Sequence, residues 1–333
     1  MNDQLSLDAR QVFRNISEFA HPVVARSLFE LMVTIVPFIL LWVATLAAVS
    51  NGYWLGWLLT IPAGGLLLRL FVIQHDCGHG SLFRRRATND WVGRALSVLT
   101  LTPYDSWRKS HATHHATSGN LGKRGTGDVD TLTVSEYRAR PRRQRLLYRL
   151  YRNPIVFFAI GPAFTFILRH RFPMARIGGG WRAWFGTLAT NAAIGTVAVI
   201  IIWKIGLGQF LAIHLPIALI AATAGVWLFY VQHQFEHTVW EDDAEWSFHE
   251  AALHGSSYYH LPAVLRWFTG NIGIHHVHHL SSRIPFYRLP QVLRTYPVLA
   301  TVSRLSVRQS IATTRLRLWD QDRRRLLSFS EAS

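Results

Sequence analysis

Histidine is the residue type in this chain whose number and spacing could do chemistry. There are seventeen, and most fall in four short clusters. His75 and His79 lie in HDCGH, and His111, His114 and His115 in HATHH. His233 and His237 lie in HQFEH, and His275, His276, His278 and His279 in HHVHH. Residues three and four apart share one face of a helix. Each cluster, if helical, therefore aims two or three imidazoles at one place. His276 is one residue from His275, about 100° round a helix, and is expected to point elsewhere. Ten candidate ligands remain: His75, His79, His111, His114, His115, His233, His237, His275, His278 and His279. A zinc ion takes about three or four protein ligands. Ten imidazoles are too many for one ion and suit two, with four or five each. Imidazole suits iron, copper, zinc and nickel alike, so ligand type leaves the metal open. Carboxylates, which build the soluble ferritin-type di-iron sites, are nearly absent from the clusters.

The elements that must position these residues are apolar. Half of the 333 residues are hydrophobic and only 16% are charged, against about 25% in a soluble domain. Phe29–Val49 and Trp54–Ile73 each approach the roughly 20 apolar residues that cross a bilayer core. The short link Ser50–Tyr53 makes them a hairpin. Trp184–Trp203 and Gln209–Val231 form a second, joined by Lys204–Gly208. A shorter apolar run, Ile155–Leu168, is bounded by Arg149, Arg152, Arg169 and Arg171 and reads as an interfacial or re-entrant helix. Arg69, inside the second span, is expected to snorkel or to pair within the protein. The expected fold is an all-α integral membrane protein: four transmembrane helices in two hairpins, with a cytoplasmic helical cap holding the metal site. The expected division is an N-terminal arm (1–28), a membrane domain (29–231) whose loop 74–182 carries the first two clusters, and a C-terminal region (232–333) carrying the rest.

The formal net charge is +16, which suits nucleic acid or an anionic membrane surface. The apolar spans favour the membrane, with Arg84–Arg86, Arg138–Arg145 and Arg323–Arg325 resting against headgroups. The two hairpin tips hold one basic residue, Lys204. The positive-inside rule then puts both termini, the central loop and all four clusters in the cytoplasm. The polar N-terminus shows no secretory signal pattern. Cys77 is the only cysteine, which excludes an intrachain disulfide and a cysteine zinc site. A metal transporter would carry ligands along its spans, which hold only His214. Leu327–Ser333 is expected to be a frayed end.

At these residues the chain resembles the membrane fatty acid desaturases, in particular their delta-12/omega-6 acyl-lipid branch. The matching stretches are HDCGHGSLF from His75, SWRKSHATHHATSGNL from Ser106, GDVDTLTVSEY from Gly127, FYVQHQFEHTVW from Phe229, and HGSSYYHLPAVLRWFTGNIGIHHVHHLSSRIPFYRL from His254. The resemblance covers about Gln74 to Leu289. The histidine boxes belong to a wider superfamily that includes hydroxylases and ketolases. The words between them point to desaturases.

The resemblance implies a non-haem di-iron centre that uses O2 to remove two hydrogens from adjacent methylenes of an acyl chain. It also implies an oleoyl-type lipid substrate and an electron donor such as a ferredoxin or a cytochrome b5-like protein. In related acyl-CoA desaturases a histidine after the fourth span completes the site, and an asparagine four residues earlier holds a metal-bound water. His237 matches that histidine and His233 stands at the asparagine, so His233 either ligates directly or holds the water. Asp76, Asp128, Asp130, Glu236 and Asn271 are candidates to orient the imidazoles. Trp107, Trp240, Tyr258, Tyr259 and Trp267 are candidates to line an acyl tunnel or the interfacial aromatic belt.

Overall fold

The computed structural model describes residues 9–125, 127–172 and 180–332. The first eight residues of the expected arm, residues 126 and 173–179 of the expected loop, and residue 333 lie outside them.

The chain opens with a short helix, α1 (Ala9–Ile16), and then α2 (Val24–Ser50), the first long apolar helix. A turn at Asn51–Gly52, with Gly52 at φ +79°, and a 3-10 segment (Trp54–Leu59) return it as α3 (Thr60–His79). Next come α4 (Arg86–Leu99), α5 (Tyr104–Thr117), strand β1 (Leu132–Thr133), α6 (Val134–Ala139) and α7 (Arg142–Tyr151). The run expected to be re-entrant is helical but irregular. Two π-helical turns, Val156–Ile160 and Phe164–Leu168, flank one α-turn, α8 (Gly161–Ala163). The segment is bent by 60° against α7. The second long pair is α9 (Gly180–Ile205) and α10 (Leu207–His233), with Gly206 alone between them at φ +84°. Beyond lie α11 (Phe248–His254), β2 (Tyr258–His260), α12 (Ala263–Phe268), α13 (His275–Leu280), α14 (Leu289–Thr295), β3 (Arg304–Ser306), α15 (Val307–Thr313), β4 (Leu318–Asp320) and β5 (Arg325–Leu327).

The four apolar segments are long enough to cross a bilayer: Val24–Ser50, Trp54–His79, Trp184–Ile205 and Leu207–His233. This is the expected helical membrane architecture, with two small sheets added. β2 and β3 pair in parallel, while β4 lies between β1 (parallel) and β5 (antiparallel). Of the end expected to be frayed, residues 327–332 are therefore ordered by long-range contacts. Leu327 pairs with Leu318, Phe329 packs on Tyr137 and Tyr148, and Arg138 donates to the Ala332 carbonyl. A sequence reading of local polarity misses this, because the partners are almost two hundred residues away.

α3 is the central helix, packed against α2, α4 and α10. Gly64 lets α10 approach, since a Cβ there would stand 2.6 Å from Ile220. The outer spans leave apolar side chains bare, such as Leu40, Val199 and Trp203. That exposure suits lipid as the surrounding solvent. Arg69 pairs within the protein. It bonds to Glu30 and Thr34 of α2 and to the Trp267 carbonyl, with its guanidinium 4.4 Å from the Trp267 ring centroid. The buried charge thus has a counter-charge and three acceptors.

Candidate metal centre

Four helices deliver the histidines to one end of α3 and α10. α3 carries His75 and His79 in its last turns. α5 carries His111, His114 and His115. It is anchored to α3 by the Tyr104 hydroxyl, which donates 2.9 Å to the Cys77 carbonyl and 2.8 Å to Asp90. α10 ends on His233. α13 carries His275, His278 and His279, and its first two amides, of His275 and His276, share the Ser257 carbonyl.

Nine of the ten candidate ligands fall into two groups. His75, His79, His111, His115 and His278 form one, and His114, His233, His275 and His279 the other. Within each group, one ring nitrogen per residue lies within 4.8 Å of all the others. The groups adjoin, with the His115 and His279 rings stacked 4.0 Å apart. Each HATHH or HHVHH triplet was expected to serve one place, and here the structure differs. α5 gives its i, i+4 pair to the first group and its i+3 residue to the second. α13 does the reverse, giving His278 to the first group and His275 and His279 to the second. The reason is helical. Residues i+3 and i+4 fall on opposite sides of residue i, about 100° apart, so a helix lying between two sites feeds both.

His237 is in neither group. α10 stops at His233, and residues 234–237 leave the helix in a turn. Gln234 draws the chain aside. It is buried, and its side-chain carbonyl accepts from Arg152 at 2.9 Å and from Thr131 at 3.3 Å. His237 is left exposed. His276 also stands apart, as its position on the helix predicts. Its Nε2 lies 2.9 Å from the Leu299 carbonyl, and burial lowers its pKa to about 4.

The converging ring nitrogens outnumber the protons that neutral imidazoles can place between them. His233 Nε2 lies 3.1 Å from His114 Nε2 and 3.0 Å from His275 Nε2. His75 and His79 approach through Nε2 at 3.3 Å, and His111 and His115 at 3.1 Å. A neutral imidazole has one N–H, which cannot satisfy several converging lone pairs. Both ring nitrogens of His278 and Nε2 of His279 are buried without a partner. Burial, reinforced by the neighbouring rings, holds His111, His115, His275, His278 and His279 well below the ordinary histidine pKa. Neutral imidazoles facing one another across a gap fit a metal cation in each group.

Two of the five expected orienting residues, both carboxylates, reach the rings. Asp128 lies 2.5 Å from His114 Nδ1. Asp76 lies 3.2 Å from His75 Nδ1, and its other oxygen takes the Phe286 amide at 2.7 Å. The other three expected orienting residues do not reach the rings. Asp130 and Glu236 are exposed. Asn271 turns to the Phe286 carbonyl at 3.4 Å, its backbone at φ +55°. Sequence reasoning missed Ser257 and Gln234. For Gln234 there was a signal, since Gln232 and Gln234 flank His233 at the end of an apolar span.

The sequence pattern of the fatty acid desaturase family matches residues 52–309. The chain is 43% identical over 320 residues to a fatty acid desaturase of Bacillus subtilis, covering 96% of this chain and 90% of that one. The chain belongs to the fatty acid desaturase family. It is also 29% identical to two proteins of Synechocystis. One is an sn-1 oleoyl-lipid 12-desaturase, matched over 74% of this chain and 71% of that one. The other is an sn-1 acyl-lipid omega-3 desaturase (ferredoxin), matched over 73% and 68%.

An apolar groove runs between α3, the α8 segment and α10. Leu67, Phe71, Phe166, Ala221 and Gly225 are among its walls. The Phe71 ring lies 5.3 Å from that of Trp107, and Trp107 stacks on His111 at 4.7 Å and 16°. Two rings thus connect the groove to the five-histidine group. The other aromatic candidates serve elsewhere. Trp240 stacks on Trp319, Tyr258 and Tyr259 hydrogen-bond to His260 and Ser310, and Trp267 covers Arg69.

Proposed function

We propose that this oxidoreductase is an O2-dependent acyl-lipid desaturase that holds two iron ions and introduces a cis double bond at the delta-12 position of an oleoyl-type chain. The observation that carries this reading is the pair of adjoining imidazole groups at the end of an apolar groove. The five-histidine and four-histidine groups would hold one iron each. Bound iron supplies the activation of O2, which removes the two hydrogens. The balance is simple: O2 becomes two waters, taking two electrons and two protons from the methylenes and two of each from outside. The outside electrons come from a one-electron carrier such as a ferredoxin, the donor printed in the name of the omega-3 relative. A cytochrome b5-like carrier would meet the same need.

The chain's own residues have three tasks. Asp76 and Asp128 keep the imidazole protons on Nδ1. Trp107, stacked on His111, keeps water off that ring and offers the acyl chain an apolar wall. Phe71 and Phe166 admit the chain from the bilayer side. Neither histidine group includes a thiol, and Cys77, the only cysteine, is buried. Delta-12 rests on likeness to the oleoyl-lipid relative and on the words between the histidine boxes. The termini and the metal site are assigned to the cytoplasm because Lys and Arg avoid the hairpin tips. The division into arm (1–28), membrane domain (29–231) and C-terminal region (232–333) follows from that topology.

The test is gas chromatography–mass spectrometry of fatty acids from oleate-making cells that supply ferredoxin and its reductase. Wild-type chain should yield a new diene, and His278→Ala none. A hydroxy or keto product would replace desaturation by hydroxylation on the same scaffold. Purified protein should hold two irons per chain.

A further inference from the structure

A second candidate site lies away from the histidines. A cleft of about 860 Å³ opens between α7, α15 and the β4–β5 hairpin. Arg149, Arg315, Arg317 and Arg325 line it, against two carboxylates, Glu236 and Glu331. Arg325 pairs with Glu331 at 3.5 Å, and Arg149 donates to the Tyr137 hydroxyl at 2.7 Å. Among the described residues, neither Arg315 nor Arg317 has a carboxylate within ion-pair distance. The cleft therefore carries surplus positive charge.

We propose that this cleft binds the phosphate of an anionic membrane phospholipid. Three observations support that occupant. The first is depth. The Tyr230 hydroxyl, in the last turn of α10, donates 3.0 Å to the carbonyls of Thr313 and Leu316 in the cleft wall. A helix of 27 residues is about 40 Å long, against an apolar core of about 30 Å. A helix of that length centred on the core puts its last turn, and the cleft beside it, at the headgroup layer. The second is the rim. Leu146 and Leu150 on α7 and Ile311 on α15 are 58%, 57% and 62% exposed beside the cleft arginines. Bare apolar side chains next to guanidinium groups suit an element lying at the lipid surface, and a water-soluble protein partner would leave them wet. The third is ligand chemistry. Arginine presents a fork of N–H donors that matches phosphate oxygens. The proposal rests on the membrane reading of the four long helices and not on the chemistry at the histidines.

The test uses purified full-length protein in neutral detergent, titrated with fluorescent phosphatidylglycerol and with its phosphatidylcholine counterpart. Arg315→Glu/Arg317→Glu should bind phosphatidylglycerol at least about tenfold more weakly, at roughly 1 kcal/mol per basic residue, with phosphatidylcholine unchanged. Arg14→Glu/Arg294→Glu, an equal charge change at exposed positions outside the cleft lining, should bind as wild type. Equal losses in both variants would reduce the cleft to diffuse surface charge and overturn the proposal. So would inorganic phosphate competing as well as the lipid, which would make this a free-anion pocket. Normal lipid binding with lost cross-linking to an acidic ferredoxin would assign the cleft to a protein partner instead. Metal content per chain checks that each variant is folded, and Arg315→Gln/Arg317→Gln repeats the test without charge reversal. Because the readout is lipid binding, absence of desaturation leaves the result intact.

Discussion

At the scale of single residues, the structure separates histidines that the sequence makes look alike. His278 offers two buried, unpartnered ring nitrogens to the five-membered group. His276, two residues earlier, bonds to the Leu299 carbonyl, and His237 is in solvent. Alanine at His111, His115 or His278 should lower activity by at least about 100-fold, more than loss of an orienting partner costs, and remove metal from one group. His237→Ala should keep metal and activity. His276→Ala should keep metal while losing about 1–3 kcal/mol of stability from the orphaned carbonyl. Iron analysis of the purified variants reads all of these. Full iron in His278→Ala would remove it from the ligand set. The spacing rule named ten candidates, of which nine are grouped, because i, i+3 and i+4 geometry is local. It failed at His237 because Gln234 is held by Arg152, 82 positions away in sequence, and no local pattern records that bond.

At the scale of elements, the metal groups depend on how closely α5 lies on α3 and α4. Gly93 of α4 faces the Tyr104 ring, and a Cβ there would stand 2.2 Å from it. Tyr104 begins α5 and anchors it to the Cys77 carbonyl. Gly93→Ala must therefore push α5 outward, at about 1–3 kcal/mol for overpacking. The expected outcome is a lower melting temperature together with reduced metal in both groups, since α5 feeds both. Unchanged metal content would show that the helix tolerates the shift. The metal-free protein should also be acid-labile. Burial depresses the pKa values of His111, His115, His275, His278 and His279, while in the unfolded chain histidine titrates near about 6.5. Below that pH the unfolded state binds more protons than the folded one, so stability falls as pH drops from about 7 towards 5. Thermal melts of metal-free protein across that range check the sign, and a flat profile would contradict the burial. The spans were legible as elements because hydropathy over twenty residues is a strong local signal. The sharing of each triplet between two groups was not, because it depends on the position of α5 and α13 between the sites.

At the scale of the whole molecule, the helices form two hairpins whose tips, at Asn51 and Gly206, are the far ends of α3 and α10 from the histidines. His79 and His233 close those same helices. If the helices cross a bilayer, the tips must emerge on one side and the metal groups on the other, whatever the orientation. The charge distribution is the basis for the orientation proposed above, with the histidine end and both termini cytoplasmic. The only native thiol, Cys77, is buried, so single introduced cysteines report cleanly. In intact bacterial cells, Asn51→Cys and Lys204→Cys should react with a membrane-impermeant maleimide, and Arg323→Cys should react only after lysis. Labelling of all three from outside, or of Arg323→Cys alone, would break the topology and with it the delivery of cytoplasmic electrons to the metals. The same two-sided arrangement explains why the termini need not be near a hairpin tip. The C-terminal sheet pairs β4 with β1 of the central loop, so the last residues are held on the histidine side by the chain's own long-range pairing.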